Sequence, residues 1–337
     1  MENNFVSDIP KPSLLFIHNG RTRFVQIDLD LLQPHFKITE LYLTSPLFNP
    51  ARIIHAVMQH DIVLGWFSSW HTFLPILAGR RFGKPTVLIV GGYDTANLPE
   101  ADYGSQRGGL RRWIATTTMR QASHLITNSH SAKGETMTNV GIPAQKISVI
   151  YHGVPPMPPG DMHQRQPIVL TVGNVWRENL LRKGLLPFVE SAKFLPDLEF
   201  VLVGKWQDDS INELRNIAPP NVRFTGFIPE DELRNLYQTA SVYVQASLHE
   251  GFGMSVAEAM LGGCFPVITN CGSLPEVVGS CGVVVQDQQP ESIVAGIYEA
   301  LSMSSQARQL ARSRILQEFT LERREQTLTT FIQQCLS

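Results

Sequence analysis

The sequence predicts an α/β protein made of two doubly wound domains, each built on a parallel sheet. Three observations point there. Its 337 residues exceed what one hydrophobic core ordinarily organises. Short runs rich in β-branched residues alternate with amphipathic segments at helical period, the pattern of βαβ units. That alternation stops once, at a proline-rich stretch, and then resumes.

Taken in chain order, the strands expected in the first half are SLLFIH (13–18), ITELYL (38–43), DIVLGWF (61–67), PTVLIVG (85–91), HLITN (124–128) and ISVIY (147–151). Between them, segments such as RFVQIDLDLLQ and TFLPILAGRRFG carry the amphipathic pattern of helices. HGVPPMPPGDMHQRQP (152–167) then brings Pro155, Pro156, Pro158, Pro159 and Pro167 with no periodicity, and reads as a linker. The second series is IVLTVG (168–173), EFVLVG (199–204), VRFTGF (222–227), SVYVQAS (241–247), FPVIT (265–269) and GVVV (282–285), with GLLPFVESAKFL and EDELRNLYQTA among its helices. The expected organisation is a first domain over 1–152, a linker over 153–167 and a second domain over 168–317. A C-terminal helix over 318–337 is expected to pack back on the first domain. Sheets of this kind bind ligands beyond the carboxyl ends of their strands. Gly173, Gly204 and Gly226 close three of those strands, so the cleft between the halves is the expected site.

Composition narrows the class. A net charge of −2 argues against a general nucleic-acid binder. It conceals an asymmetry: residues 1–150 carry 14 Lys and Arg against 10 Asp and Glu, and residues 151–337 carry 14 against 20. Cys264, Cys271, Cys281 and Cys335 form no CxxC pair and no zinc-finger spacing, and read as reduced thiols. The opening MENNFVSDIPKPS has no secretory pattern, and no run reaches the ~20 apolar residues of a spanning helix. The expected location is the cytoplasm, at most against the inner face of a membrane. RGGLRRWIATTTMRQ (107–121) mixes Arg107, Arg111, Arg112 and Arg120 with Leu110, Trp113 and Ile114. It reads as an ordinary helix with its apolar stripe packed inward or as a basic amphipathic helix on a bilayer.

The chemistry concentrates in HEGFGMSVAEAM, where Glu250 and Glu258 bracket a glycine-punctuated turn. Gly251 and Gly253 keep Glu250 on a loop, and SVAEAMLGG reads as a short helix ended by Gly262 and Gly263. Met254 and Ser255 fall at its start, where free N–H groups and the helix dipole favour a phosphate. Ser255-x-x-Glu258 also fits a capping box, and Glu250 a solvated loop acid. The whole pattern suits one ligand better: a carboxylate for sugar hydroxyls, a turn for a diphosphate and a carboxylate for a ribose. The pair Asp28 and Asp30 in VQIDLDLLQ reads as the polar face of an amphipathic helix rather than a metal motif.

EGFGMSVAEAM resembles the glutamate–seven residues–glutamate signature of the family-4 retaining glycosyltransferases, which have the GT-B fold of two facing Rossmann-like domains. KISVIYHGV resembles the interdomain strand of that family, VRFTGFIPEDEL its nucleobase loop, CGSLPEVVG its Gly-x-Pro-Glu segment, and RKGL after LTVGNVW its diphosphate-binding loop. The five matches run in the family's order over nearly the whole chain. The resemblance implies transfer of a sugar from a nucleotide-diphosphate sugar to an acceptor hydroxyl with retention of configuration, needing no metal and no cofactor. A UDP-sugar is expected before a GDP-sugar, and a carbohydrate, lipid-linked or small-molecule acceptor. By the same likeness Glu250 and Lys183 are the catalytic candidates, one holding the donor sugar and the other neutralising the departing diphosphate. Glu258 would hold the ribose. The backbone of Phe252, Gly253, Met254 and Ser255 would face sugar and diphosphate, the main chain at Phe227 and Ile228 would cradle the base, and Gly20 would lie near the phosphates.

Three departures stand out. Asn174 takes the place of an arginine expected to partner the lysine, with Arg177 and Arg182 as substitutes. The loop HNGRTR has one glycine where two are usual. VLIVGGYD puts Gly91 and Gly92 where many members carry a histidine, which leaves His71, Gly92 and Asp94 as acceptor-side candidates. Two rival classes remain: a related epimerase or phosphorylase, and a non-catalytic nucleotide-sugar-binding protein that the missing histidine keeps in view. A dinucleotide oxidoreductase is hard to sustain, because no GxGxxG follows any strand.

Overall fold

The computed structural model describes residues 10–46 and 48–337, so most of the opening MENNFVSDIPKPS lies outside the described residues. All twelve expected strands form. In the first sheet they are β1 (Ser13–His18), β2 (Lys37–Tyr42), β3 (Ile62–Trp66), β4 (Thr86–Val90), β5 (His124–Thr127) and β6 (Ile147–Val149). The second has β7 (Gln166–Val172), β8 (Glu199–Val203), β9 (Val222–Gly226), β10 (Ala240–Gln245), β11 (Phe265–Thr269) and β12 (Val283–Val285). The orders are β2-β1-β3-β4-β5-β6 and β12-β11-β10-β7-β8-β9, and every pairing is parallel. The central strands β3, β4, β10 and β11 are buried throughout, whereas edge strand β2 is partly exposed. That is why the former read as unbroken apolar runs.

Each sheet has a switch point where neighbouring strands send their connections to opposite sides. In the second sheet it lies between β7 and β10, and in the first between β1 and β3. Loops leaving such neighbours splay apart and open a crevice at the carboxyl edge. RKG follows β7 and HEGFG follows β10, so topology alone brings these two loops together.

The connection between the sheets ends two residues before the expected linker does and is not free. Gln166 and Pro167 open β7, with Gln166 in register with Ala240. Just before them, the Arg165 guanidinium donates to the carbonyls of Tyr237, Gln238 and Ala240, which ties the segment to the second domain.

The chain ends by crossing back. The helix Ser305–Glu318 packs on the second domain, where Ala311 and Ile315 join the core around Val256 and Met260. The next helix, Leu321–Gln334, places Leu328 and Ile332 in the core of the first, against Leu14, Phe16 and Leu64. Asp28 departs from its expected place on a polar helix face. It is buried and accepts two hydrogen bonds from Arg324, at 3.0 and 2.7 Å. A carboxylate of that helix therefore anchors the returning C-terminal helix.

Candidate active site

The two switch points face each other across a cavity of about 290 Å3 whose wall includes Lys183, Arg182, Glu250, Gly253, Met254, Trp66 and Asn128. Lys183 ends the short helix Arg177–Arg182, and the chain then turns through Gly184 at φ +64°. A Cβ at Gly184 would stand 2.0 Å from the Ala246 carbonyl oxygen. Only glycine lets this turn press against the end of β10. The consequence is a direct ion pair: Lys183 Nζ lies 2.7 Å from Glu250 Oε1. Gln245 Nε2 and Ser247 Oγ each donate to the same oxygen at 3.1 Å.

Burial by itself would raise the Glu250 pKa, but the charges of Lys183 and Arg182 outweigh it and bring the carboxyl down to about 2. Glu250 is therefore ionised at any physiological pH. Arg182 is itself fixed in place. It donates to Asn179 Oδ1 at 3.0 and 2.5 Å, and its guanidinium lies 4.4 Å from the centre of the Tyr103 ring. Of the two substitutes for the absent arginine, the structure brings Arg182 to the cavity. Arg177 instead pairs with Glu213 on the exposed surface. Asn174 is exposed, and its Oδ1 receives the Lys205 N–H at 3.0 Å.

Beyond Glu250 the chain passes through Gly253, left-handed at φ +92°, into the helix Met254–Gly262. No described side chain caps this helix, so its first N–H groups and positive dipole end are left for a ligand at the cavity wall. The capping box does not form. Glu258 sits a turn further in and accepts from Arg23 Nη1 at 2.6 Å and from Tyr237 Oη at 3.3 Å. Burial raises its pKa, with Arg23 acting in the opposite sense. Arg23 belongs to the first domain and also reaches Glu230 at 3.1 Å. It thus spans the cleft and satisfies Glu258.

Gly91 has a positive φ of +134°, and a Cβ there would crowd Ala132 Cβ at 3.2 Å. The HEGFG loop rests on Gly91, so that a Cβ added at Gly251 would lie 2.4 Å from the Gly91 carbonyl oxygen. Ser129 Oγ fixes the same loop by donating to the Gly251 carbonyl at 2.9 Å. Gly92 lines the cavity, and a Cβ there would meet nothing within 4 Å.

Asp94 and His71 line a second cavity of about 490 Å3, which shares Phe67 and Tyr93 with the first. Asp94 accepts the Ser68 and Gly91 N–H groups at 2.9 and 3.1 Å, and burial lifts its pKa to about 6. His71 pairs Nε2 with the Trp66 carbonyl at 2.8 Å, while Nδ1 has no partner among the described residues. Burial holds its pKa at about 4, so the ring is neutral and Nδ1 is an acceptor. Gly20 is partly exposed beyond β1, and its neighbour Asn19 reaches the second cavity. Phe227, 79% exposed, projects from the end of β9, while Ile228 packs on the core.

Sequence reasoning missed several wall residues. Trp66 Nε1 and Asn128 Oδ1 are buried on the cavity wall with no hydrogen-bond partner among the described residues, one a donor and one an acceptor. Neutral His152, its pKa pushed well down by burial, stacks on Trp66 with the rings 2° from parallel. The available signal was position, since Trp66 ends β3 and Asn128 follows β5 at the carboxyl edge. Among the described residues no cluster of three or more His, Cys, Asp or Glu is placed to hold a metal ion.

Two facing Rossmann-like domains, with ionic groups and an uncapped helix gathered at the switch point of the second, define the GT-B architecture. The comparisons agree. Residues 21–157 match the model described as Glycosyltransferase Family 4, and residues 166–303 the one described as Glycosyl transferases group 1. Fold and domain models together place the chain among the GT-B glycosyltransferases. It is 37% identical over 102 residues to the O-antigen chain mannosyltransferase B of Escherichia coli, covering 30% of this chain and 27% of that protein. With a serotype-specific mannosyltransferase of Escherichia coli, WbdA, it shares 29% identity over 225 residues, 62% of this chain and 26% of the relative. The chain thus spans about a quarter of the length of these two curated relatives. In structure it resembles Anabaena Alr3699/HepE in complex with UDP and glucose, with a TM-score of 0.77 at 16% identity, covering 96% of this chain and 100% of that one.

Proposed function

We propose that the protein transfers a glycosyl group from a nucleoside-diphosphate sugar, UDP-linked before GDP-linked, to an acceptor hydroxyl, with retention and without a metal. The observation that carries this reading is the Lys183–Glu250 pair beside the uncapped start of the helix Met254–Gly262. A diphosphate bridging those features would receive N–H groups from Met254 and Ser255 and positive charge from Lys183 and Arg182. Glu250, always ionised, accepts hydrogen bonds from the sugar hydroxyls, and Trp66 Nε1 and Asn128 Oδ1 supply a buried donor and acceptor for others. Glu258 takes the ribose once Arg23 yields, and Phe227 and Ile228 flank the base. The departing diphosphate receives the proton of the incoming hydroxyl on the face it leaves from, so the protein's task is positioning and charge stabilisation. The second cavity, with His71, Gly92 and Asp94 near its junction with the first, takes the acceptor. UDP bound in a structure of like fold supports the base preference.

The test is turnover of a UDP- and GDP-sugar panel with the product anomer read by NMR. Retention with activity unchanged by EDTA is expected. An inverted product, or activity lost to EDTA and restored by magnesium, contradicts the proposal. Donor turnover equally fast without any acceptor would favour the epimerase or phosphorylase class.

A further inference from the structure

The strand β3 runs out into a conformation that its sequence resists. Phe67 has φ +63°, and among the described residues Asp102 is the other non-glycine residue with a left-handed backbone. A short polar side chain tolerates that region, whereas a bulky aromatic holds it where its surroundings impose it. Hydrogen bonds along the turn impose it here. The Phe67 N–H donates to the Ile89 carbonyl at 2.9 Å, and the Phe67 carbonyl accepts from Thr72 Oγ1 at 2.8 Å. His71 Nε2 holds the carbonyl of Trp66 on one side at 2.8 Å, and Asp94 Oδ2 holds the N–H of Ser68 on the other at 2.9 Å. The result is a half-buried ring that lines both cavities, braced by edge contacts with Trp66 and Phe24 at 5.4 and 5.8 Å. Trp70 and Tyr93 continue the aromatic wall in the second cavity, where Asn19 and His71, its Nδ1 unpartnered among the described residues, add polar groups.

We propose that Phe67 is the stacking platform of the acceptor and selects a pyranose, whose C–H face lies on the ring while its hydroxyls reach Asn19 and His71. A pyranose presents an apolar face and a hydroxyl edge together, as this wall requires. An aliphatic chain would leave the polar groups unmet, and an open-chain polyol has no face to stack. Glycine would suit the backbone better and leave no platform, so the strained turn keeps the ring at the junction of the two cavities. The proposal rests on the reading of the second cavity as the acceptor's.

Saturation-transfer NMR of the full chain with methyl mannoside, glucoside and galactoside in their pyranose forms, with and without UDP, tests it. Sorbitol serves as the open-chain control. At least one pyranoside should receive saturation at its ring C–H protons, and sorbitol none. Phe67→Gly and Phe67→Leu should each weaken that binding about fivefold or more. Phe194→Ser, which removes an exposed aromatic of the second domain, should bind as the wild type does. Phe67→Gly should melt above Phe67→Ala, because both lack the ring and glycine alone suits the left-handed turn. It should also keep the upward melting shift that a nucleotide sugar gives the wild type. The proposal is overturned if no pyranoside is saturated, if sorbitol is saturated equally, or if either Phe67 variant binds undiminished. An equal loss in Phe194→Ser, or a glycine variant melting no higher than the alanine one, overturns it too. With the nucleotide-sugar shift intact, these failures strike the platform and leave donor capture standing. Loss of that shift in Phe67→Gly would put the ring on the donor side and equally overturn the proposal.

Discussion

An ammonium and a carboxylate 2.7 Å apart in a half-closed cleft hold each other's charge in readiness. Lys183 is neutralised until a more strongly charged anion arrives, and Glu250 stays ionised as an acceptor for hydroxyls. Replacing Lys183 with Met leaves Glu250 buried beside Arg182 alone, and chemical unfolding should record a loss of about 3 kcal/mol. Glu250→Gln should keep the fold but reduce transfer by about a hundredfold or more, since the neutral amide no longer accepts on both oxygens. The sign of the pH effect follows from a carboxyl whose folded pKa is depressed to about 2. Its stabilisation is fully present above the unfolded value near ~4.3 and fades as pH falls toward 2. The stability difference between wild type and Glu250→Gln, followed by urea unfolding, should therefore be flat above about pH 4.5 and shrink below it. A difference that grew on acidification would contradict an ionised, paired Glu250.

At the scale of elements, the meeting of RKG and HEGFG is a property of strand order, because β7 and β10 are neighbours across the switch point. Gly184→Ala should cost at least about 2 kcal/mol in thermal unfolding and loosen Lys183, because the added methyl meets a backbone carbonyl at a left-handed position. The strands were legible in the sequence because central parallel strands are buried on both faces and read as apolar runs. Glu250 and the helix start were legible because glycines punctuate their turn, and Lys183 through the resemblance of RKGL to a known diphosphate-binding loop. What escaped depended on distant partners. Asp28 reads as a surface acid until Arg324, 296 residues later, buries it. Glu258 fits a capping box until Arg23, 235 residues earlier, claims it. Pro167 suggests more linker, yet with Gln166 it begins β7, because Arg165 has already secured the segment to the second domain.

Over the whole molecule, polar contacts clasp the two domains. Arg23 joins Glu258, His249 lies 2.9 Å from Glu135, and Glu276 accepts the N–H groups of His130 and Ser131 at 2.8 and 2.7 Å. Arg23→Gln should widen the cleft of the unliganded protein, visible as a larger radius of gyration in X-ray scattering, with donor restoring the compact form. Arg324→Met strands the Asp28 carboxylate in the core and should cost about 3–5 kcal/mol in chemical unfolding. The central claim is that the cleft captures a nucleotide sugar through Glu250, Lys183 and the helix beside them. Its most direct test is a thermal shift against UDP- and GDP-sugars, comparing wild type with Glu250→Ala and Lys183→Ala. Binding raises a melting temperature by linkage. A selective upward shift is expected in the wild type and its loss in both variants. A wild type that no nucleotide sugar stabilises, or variants that respond just as it does, would contradict the account.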